Sequence, residues 1–204
     1  MKVALLGGTG NLGQLLLQQL LVRGHRVNAL VRAPEKLQLS DPLLTITRGD
    51  VRTAADVAAV VASQDAVINA VGGEGDVRSV AIGNVIAAMQ QCRIRRLINL
   101  GGAGILQVGP LYLYQLPMFP SAMRAVTDEH RRVFEILRAT NLDWTMICPP
   151  FMSTHAGTGR FAVKADYPFL LASLRIAFAD VAKFVVDELQ HCGFPRQRVA
   201  IAPC

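Results

Sequence analysis

At 204 residues the chain is long enough for one large domain with its own core and too short for two of ordinary size. It is 51% hydrophobic and 18% charged, with Gly and Pro scattered along it, which excludes a disordered or low-complexity chain. The net charge of +6 suits an anionic small ligand, but no basic run exceeds Arg93-Ile94-Arg95-Arg96 or Arg131-Arg132, so no nucleic-acid partner is expected.

The first expected strand is the apolar run Lys2-Val3-Ala4-Leu5-Leu6. A helix follows over residues 12–22, with Leu12, Leu15, Leu16 and Leu20 at helical spacing and Gly24 as its stop. Residues 27–31 form a second strand ending at Arg32, and residues 43–47 a third, closed by Gly49-Asp50. Thr53 is placed to cap a helix reaching Ala62, and residues 65–71 are the fourth strand. Residues 77–92 read as a helix, 96–100 as the fifth strand, 101–120 as loop and 121–140 as a long amphipathic helix. A sixth strand at 144–148 stops at Pro149-Pro150. Beyond it the alternation loosens. An irregular stretch is expected at 153–167, an Asp180-capped helix to about His191, and a short last strand at 199–201.

Continuous apolar strands alternating with helices predict one α/β domain over 1–204. It is a doubly wound, mostly parallel sheet covered on both faces, with a less regular part from about 150 that contributes to the substrate site. Such sheets bind ligands beyond the carboxyl ends of their strands, at the switch point between the first and fourth.

The loop after the first strand carries the strongest motif. Gly8, Gly10 and Gly13 fit G-x-G-x-x-G, and the frame Gly7, Gly10 and Gly13 fits equally well. Strand before and helix after make this a dinucleotide-binding turn, a Rossmann fingerprint in which absent Cβ atoms let the backbone approach a pyrophosphate at a helix N-terminus. Thr9, Asn11 and Leu12 belong to the same turn. Arg32 stands where a carboxylate would select NAD. A guanidinium there suits a 2′-phosphate, so NADPH/NADP+ is the expected cofactor, with NAD(H) the alternative if Arg32 is only a solvated strand-end arginine. Asp50 and Val51 end the third strand beside the expected adenine, Asp50 reading equally as a turn cap. Ala70, Val71 and Gly72 are small residues at the end of the fourth strand, where cofactor can lie against the backbone, and Pro149 ends the sixth.

Gly7 to Gly13, Ala29-Leu30-Val31-Arg32 and Gly49-Asp50-Val51 resemble the atypical short-chain dehydrogenase/reductases. Ala54-Ala55-Asp56-Val57, Gln64 to Ile68, Val85 to Met89, Ala125 to His130, Pro149-Pro150 and Thr158-Gly159 resemble, within that family, the flavin reductase (biliverdin reductase B) group. The resemblance implies NADPH-dependent hydride transfer to a flavin, bound as substrate rather than prosthetic group, or to a linear tetrapyrrole. That acceptor, a small aromatic molecule, would lie over the loops after the fifth and sixth strands. The chain departs from the group's pattern there: Gly102, followed by Ala103, takes the place of a serine, and Phe151 that of a histidine. The Tyr-x-x-x-Lys pair of ordinary short-chain dehydrogenases is absent, which tells against a sugar-nucleotide epimerase.

Phe151 reads as an aromatic platform or a plain hydrophobic wall, with Met152 beside it among the expected substrate residues. His155 is the one histidine expected near the substrate, as proton source or as a loop histidine without a role. A redox sensor or assembly factor that binds NADP(H) without catalysis is the alternative function. His25, His130 and His191 lack acidic or cysteine partners at metal spacing, and Cys92, Cys148, Cys192 and Cys204 form no C-x-x-C, so no metal site is expected and the cysteines read as reduced thiols. With no signal-peptide pattern or membrane-length apolar run, a cytoplasmic protein without a membrane partner is expected, a monomer or weak homo-oligomer.

Overall fold

The computed structural model describes residues 1–169 and 175–204. Its first strand, β1 (Lys2–Leu6), is buried from Val3 onward, which is why it reads as an unbroken apolar run. Next come α1 (Asn11–Val22), β2 (Arg26–Val31), β3 (Leu44–Arg48), α2 (Ala54–Val61), β4 (Ala66–Asn69), α3 (Val77–Cys92) and β5 (Arg96–Leu100). A short hairpin of β6 (Gln107–Val108) and β7 (Leu111–Tyr112) lies within the stretch expected to be loop. Then follow α4 (Arg124–Arg138), β8 (Asp143–Cys148), β9 (Phe151–Ser153), β10 (Phe161–Ala165), β11 (Arg175–Ala177), α5 (Phe178–His191) and β12 (Gln197–Pro203).

The main sheet has eight strands in the order β10-β12-β8-β5-β4-β1-β2-β3. All neighbours run parallel except β10, which pairs antiparallel with β12 from Phe161↔Pro203 to Ala165↔Val199. The chain leaves β1 towards β2 and β3, then returns to β4 on the other flank. The switch point therefore falls between β1 and β4, as expected. Two cores follow from the alternation of side chains along the strands. One contains Leu6, Leu30, Val67 and Leu97 with α2, α3 and α4; the other contains Leu5, Ala29, Ile68 and Ile98 with α1 and α5.

Helix α1 stops where expected: Gly24 (φ +73°) lets its own N–H and that of His25 reach the carbonyls of Leu21 and Leu20. Three expectations need correction. The stretch 153–167 is not wholly irregular, because β10 forms the sheet edge within it; its run Phe161-Ala162-Val163-Lys164-Ala165 is half-buried on an edge and so lacks the apolar density of the central strands. Residues 170–174 of that less regular C-terminal part lie outside the described residues. Asp180 does not cap α5. Ala177 holds the N-cap position, and the buried Asp180 carboxylate instead accepts the N–H groups of Thr158 (3.2 Å) and Gly159 (2.7 Å), pinning the preceding loop. Thr53 does hold the N-cap position of α2 but makes no side-chain capping bond.

Candidate functional site

The loops at the carboxyl ends of β1, β2, β3, β4, β5 and β8 bring the expected residues to one edge of the sheet. The two glycine frames prove unequal. Gly7 sits at φ +88°, and a Cβ there would stand 2.5 Å from the Ala70 carbonyl oxygen. A Cβ on Gly13 would collide with the Gly7 carbonyl oxygen and the Gly8 backbone, so α1 could not start so close to β1. Gly8, by contrast, leaves ordinary contacts of 3.6 Å or more for a Cβ. The backbone thus demands glycine at Gly7 and Gly13, which favours the frame that starts at Gly7; at Gly10, as at Gly8, a Cβ would meet only ordinary contacts. Gly10 is the N-cap of α1, no side chain caps the helix, and its first turn holds no acidic residue. Its first N–H groups, beside Thr9, Asn11 and Leu12, therefore keep the partial positive charge that favours phosphate.

Arg32 lies just past β2, exposed, and no hydrogen bond or ion pair engages it among the described residues. Asp50 is half committed: its Oδ1 accepts the Arg52 N–H (2.9 Å) as a turn cap, while its own N–H donates to Asp56 (2.8 Å). Val51 packs on the core and its carbonyl accepts the Asn84 side-chain amide at 2.9 Å. Strand β4 ends at Asn69, earlier than expected, and Ala70, Val71 and Gly72 form the start of the next loop; a Cβ on Gly72 would meet nothing within 4 Å. Beneath them lies a buried pair that the sequence did not flag, Asn69 donating to Asn99 at 2.7 Å across β4 and β5.

The loops after β5 and β8 are tied together. Gly101 N–H donates to Ile147 (2.7 Å) and Ala103 N–H to the Pro149 carbonyl (2.9 Å), which brings Gly102 and Ala103 beside the Pro-Pro turn. Phe151 follows that turn with 47% of its surface exposed, so it is a rim residue rather than a packed wall; Met152 leans on the core of α1 and α5. The buried Cys148 thiol, pushed up to about 12 by desolvation, stays protonated and inert.

His155 is exposed and shares a hydrogen bond with Ser153. It lines a cleft of about 390 Å³ with Asn11, Gln14, Ser153 and Phe178, between the loop and the flank of α1. His155 is not the only histidine beside the expected substrate residues among those described. His130, on α4, lies against Gly102: a Cβ on Gly102 would stand 3.1 Å from its Cδ2 and 3.4 Å from its Nε2. Desolvation, and then the positive charge of Arg78, lower its pKa to about 3, so the imidazole is neutral at physiological pH. Nδ1 is buried and has no partner. A sequence signal existed, since His130 falls in line with the buried Thr127, Phe134 and Leu137 on one face of α4.

Arg78, also missed, donates from Nη1 to the Gly73 carbonyl (2.6 Å), while its buried Nε is unpartnered. With Gly73, Asp76, Ala125, Glu129 and Arg132 it lines a cleft of about 710 Å³ between α3 and α4. The buried Glu129 carboxylate in its wall is held by Ser79 Oγ (3.0 Å) and Arg132 (2.8 Å). Among the described residues no group of three or more His, Cys, Asp or Glu is placed to hold a metal ion, and no helix is long and apolar enough to cross a membrane.

A family model described as NAD(P)H-binding matches residues 7–192. The chain belongs to this NAD(P)H-binding family. Its match begins at Gly7, one of the two glycines of the loop that the backbone requires. Among its relatives, the uncharacterized protein YwnB of Bacillus subtilis is 29% identical, with 98% of each chain covered. A solved Bacteroides thetaiotaomicron structure, provisionally named an epimerase, superposes with a TM-score of 0.90 at 27% identity, over 99% of this chain and 96% of that one. A Streptococcus pneumoniae structure, provisionally named an NADH-flavin reductase, superposes with a TM-score of 0.87 at 25% identity over the whole of both chains.

Proposed function

We propose that this NAD(P)H-binding protein is a reductase that uses NADPH to reduce a free flavin, with a biliverdin-like linear tetrapyrrole as the other acceptor of matching shape. The observation that carries the reading is the pairing of an uncapped α1 N-terminus, framed by Gly7, Gly10 and Gly13, with an acceptor rim poor in acid–base groups. The name of the pneumococcal relative agrees on the flavin and gives NADH as the reductant.

In this reading the N–H groups at Asn11, Leu12 and Gly13 take the pyrophosphate, Arg32 takes the 2′-phosphate, and Asp50, Val51, Ala70, Val71 and Gly72 flank the adenosine half. Pro149, Gly102 and Ala103 wall the nicotinamide end, while Phe151 and Met152 offer an apolar face to the acceptor and His155 stands at its edge. The dinucleotide supplies a hydride. The chain's own part is to hold two flat rings together, which needs positioning more than proton transfer. His130, neutral and desolvated, is a hydrogen-bonding group rather than a general acid, so the proton that completes reduction comes from water at the open rim.

Mixing the protein with NADPH and excess FMN should consume the reduced nicotinamide absorbance with saturation in both components. A rate no greater than buffer, with riboflavin, FMN, FAD and biliverdin alike, refutes the reading. The absence of a side chain at Gly102 favours one second reading, a redox sensor or assembly factor that binds NADP(H) without turnover; tight NADPH binding joined to inertness towards every acceptor would identify it.

A further inference from the structure

The loop after β5 reads Gly101-Gly102-Ala103-Gly104-Ile105 and the turn after β8 reads Pro149-Pro150-Phe151, so neither offers a polar side chain to a bound acceptor. Yet the space over Gly102 is not empty. The three atoms nearest to a Cβ built there all belong to the imidazole of His130, which reaches in from α4. The 3.1 Å contact to Cδ2 is tighter than most real Cβ contacts and the 3.4 Å contact to Nε2 is ordinary, so a Cβ at 102 fits if the ring gives by a few tenths of an ångström, and a longer side chain crowds it further. The two ring nitrogens differ. Nδ1 is buried without a partner, whereas Nε2 faces the Gly102 loop. A buried N–H without an acceptor is rarer and costlier than an unmet lone pair, which puts the lone pair on Nδ1 and the hydrogen on Nε2. The nearby Arg78 guanidinium adds a positive field that disfavours a second proton on the ring.

The geometry points to His130 as the hydrogen-bond donor of the acceptor site, its Nε2–H passing over Gly102 to a carbonyl or imide oxygen of the bound flavin or tetrapyrrole. This rests on the reductase reading for the identity of the acceptor. Glycine at 102 leaves the ring its room: a Cβ there would make His130 give by a few tenths of an ångström, and a longer side chain would crowd it further.

Two measurements test it, and the first needs neither turnover nor a variant. Nitrogen-15 imidazole spectra of the wild-type protein with NADP+ should show His130 neutral and protonated on Nε2, with the Nε2 signal shifting on addition of FMN. An Nδ1–H tautomer, or a signal that FMN does not move, overturns the assignment. If the shift appears while no flavin is ever reduced, the reductase reading falls and the donor assignment stands. The second is a reciprocal exchange read as kcat/KM for FMN. His130→Ala and Gly102→Ser should each lower it at least about tenfold, the loss of roughly one hydrogen bond. Combining them should restore it to within a few-fold of wild type, because the new hydroxyl then occupies the vacated space. Combining His130→Ala with Gly102→Ala refills that space without a donor and should restore nothing. Equal recovery in both double variants, or full activity in His130→Ala, refutes the proposal.

Discussion

Replacing His130 by Gln should remove an acid-sensitive part of the protein's stability. The folded pKa is lowered to about 3 from an ordinary 6.5, so between these values the unfolded chain binds a proton that the folded chain refuses. The contribution is intact above the upper value and is lost as pH falls towards the lower one. Linkage gives the size: with those two pKa values, lowering the pH from about 7.5 to about 5 favours the unfolded state by roughly 2 kcal/mol. The ring is partly covered rather than sealed, so this is the upper end. With a urea dependence of about 2 kcal/mol per molar, the wild-type midpoint should drop by up to about 1 M over that interval. The His130→Gln midpoint should fall less, by the amount this residue supplies. His25, whose pKa burial also lowers, contributes alike in both proteins and cancels in the difference. Urea unfolding followed by far-ultraviolet circular dichroism across the interval decides the matter. Parallel pH dependences for the two proteins would show that the imidazole is not held neutral by its surroundings.

Gly13→Ala must displace the Gly7 carbonyl or the start of α1 and should weaken NADPH binding by about 100-fold, whereas Gly8→Ala should change it by less than about threefold; titration calorimetry of both tests the frame assigned to the loop. Arg32→Ala should weaken NADPH by about tenfold or more, the worth of one charge-assisted hydrogen bond, and leave NADH unchanged; equal losses for both would remove Arg32 from the 2′-phosphate. Asp180→Ala frees two backbone N–H groups and should cost about 2–3 kcal/mol in urea unfolding, with faster amide exchange at Thr158 and Gly159. Glu188→Ala leaves the buried Arg96, now paired to it at 2.9 Å, without its counter-ion, and should cost about 3–5 kcal/mol.

What the sequence made legible and what it hid follow from how far apart the cooperating residues lie. The central strands are buried on both faces, so each reads as a local apolar run, and their boundaries at Lys2–Leu6 and Arg96–Leu100 fall where the composition changes. The edge strand β10 has one neighbour and partial burial, and its pattern dissolves into the loop around it. The glycine loop is legible for the same local reason, since strand, turn and helix are contiguous. The choice between Gly7 and Gly8 is not, because it depends on the Ala70 carbonyl, which reaches the turn from the loop after β4.

The acceptor site shows the same limit more sharply. Gly102 taken alone is a missing side chain, and His130 taken alone is a histidine inside a helix. Their relation exists only once α4 packs over the end of β5, and no spacing between residues 102 and 130 encodes it. His155, near Phe151 in sequence, is held by Ser153 on the α1 side, while the more distant His130 fills the space over Gly102. Beside the histidine that adjacency in the chain suggests, packing therefore brings a second, neutral imidazole to the same expected site. An imidazole kept neutral by burial and by Arg78 can orient a bound group but does not protonate it near neutral pH; in the proposed reductase the chemistry of this rim would rest on holding two rings in contact and on water at its open side.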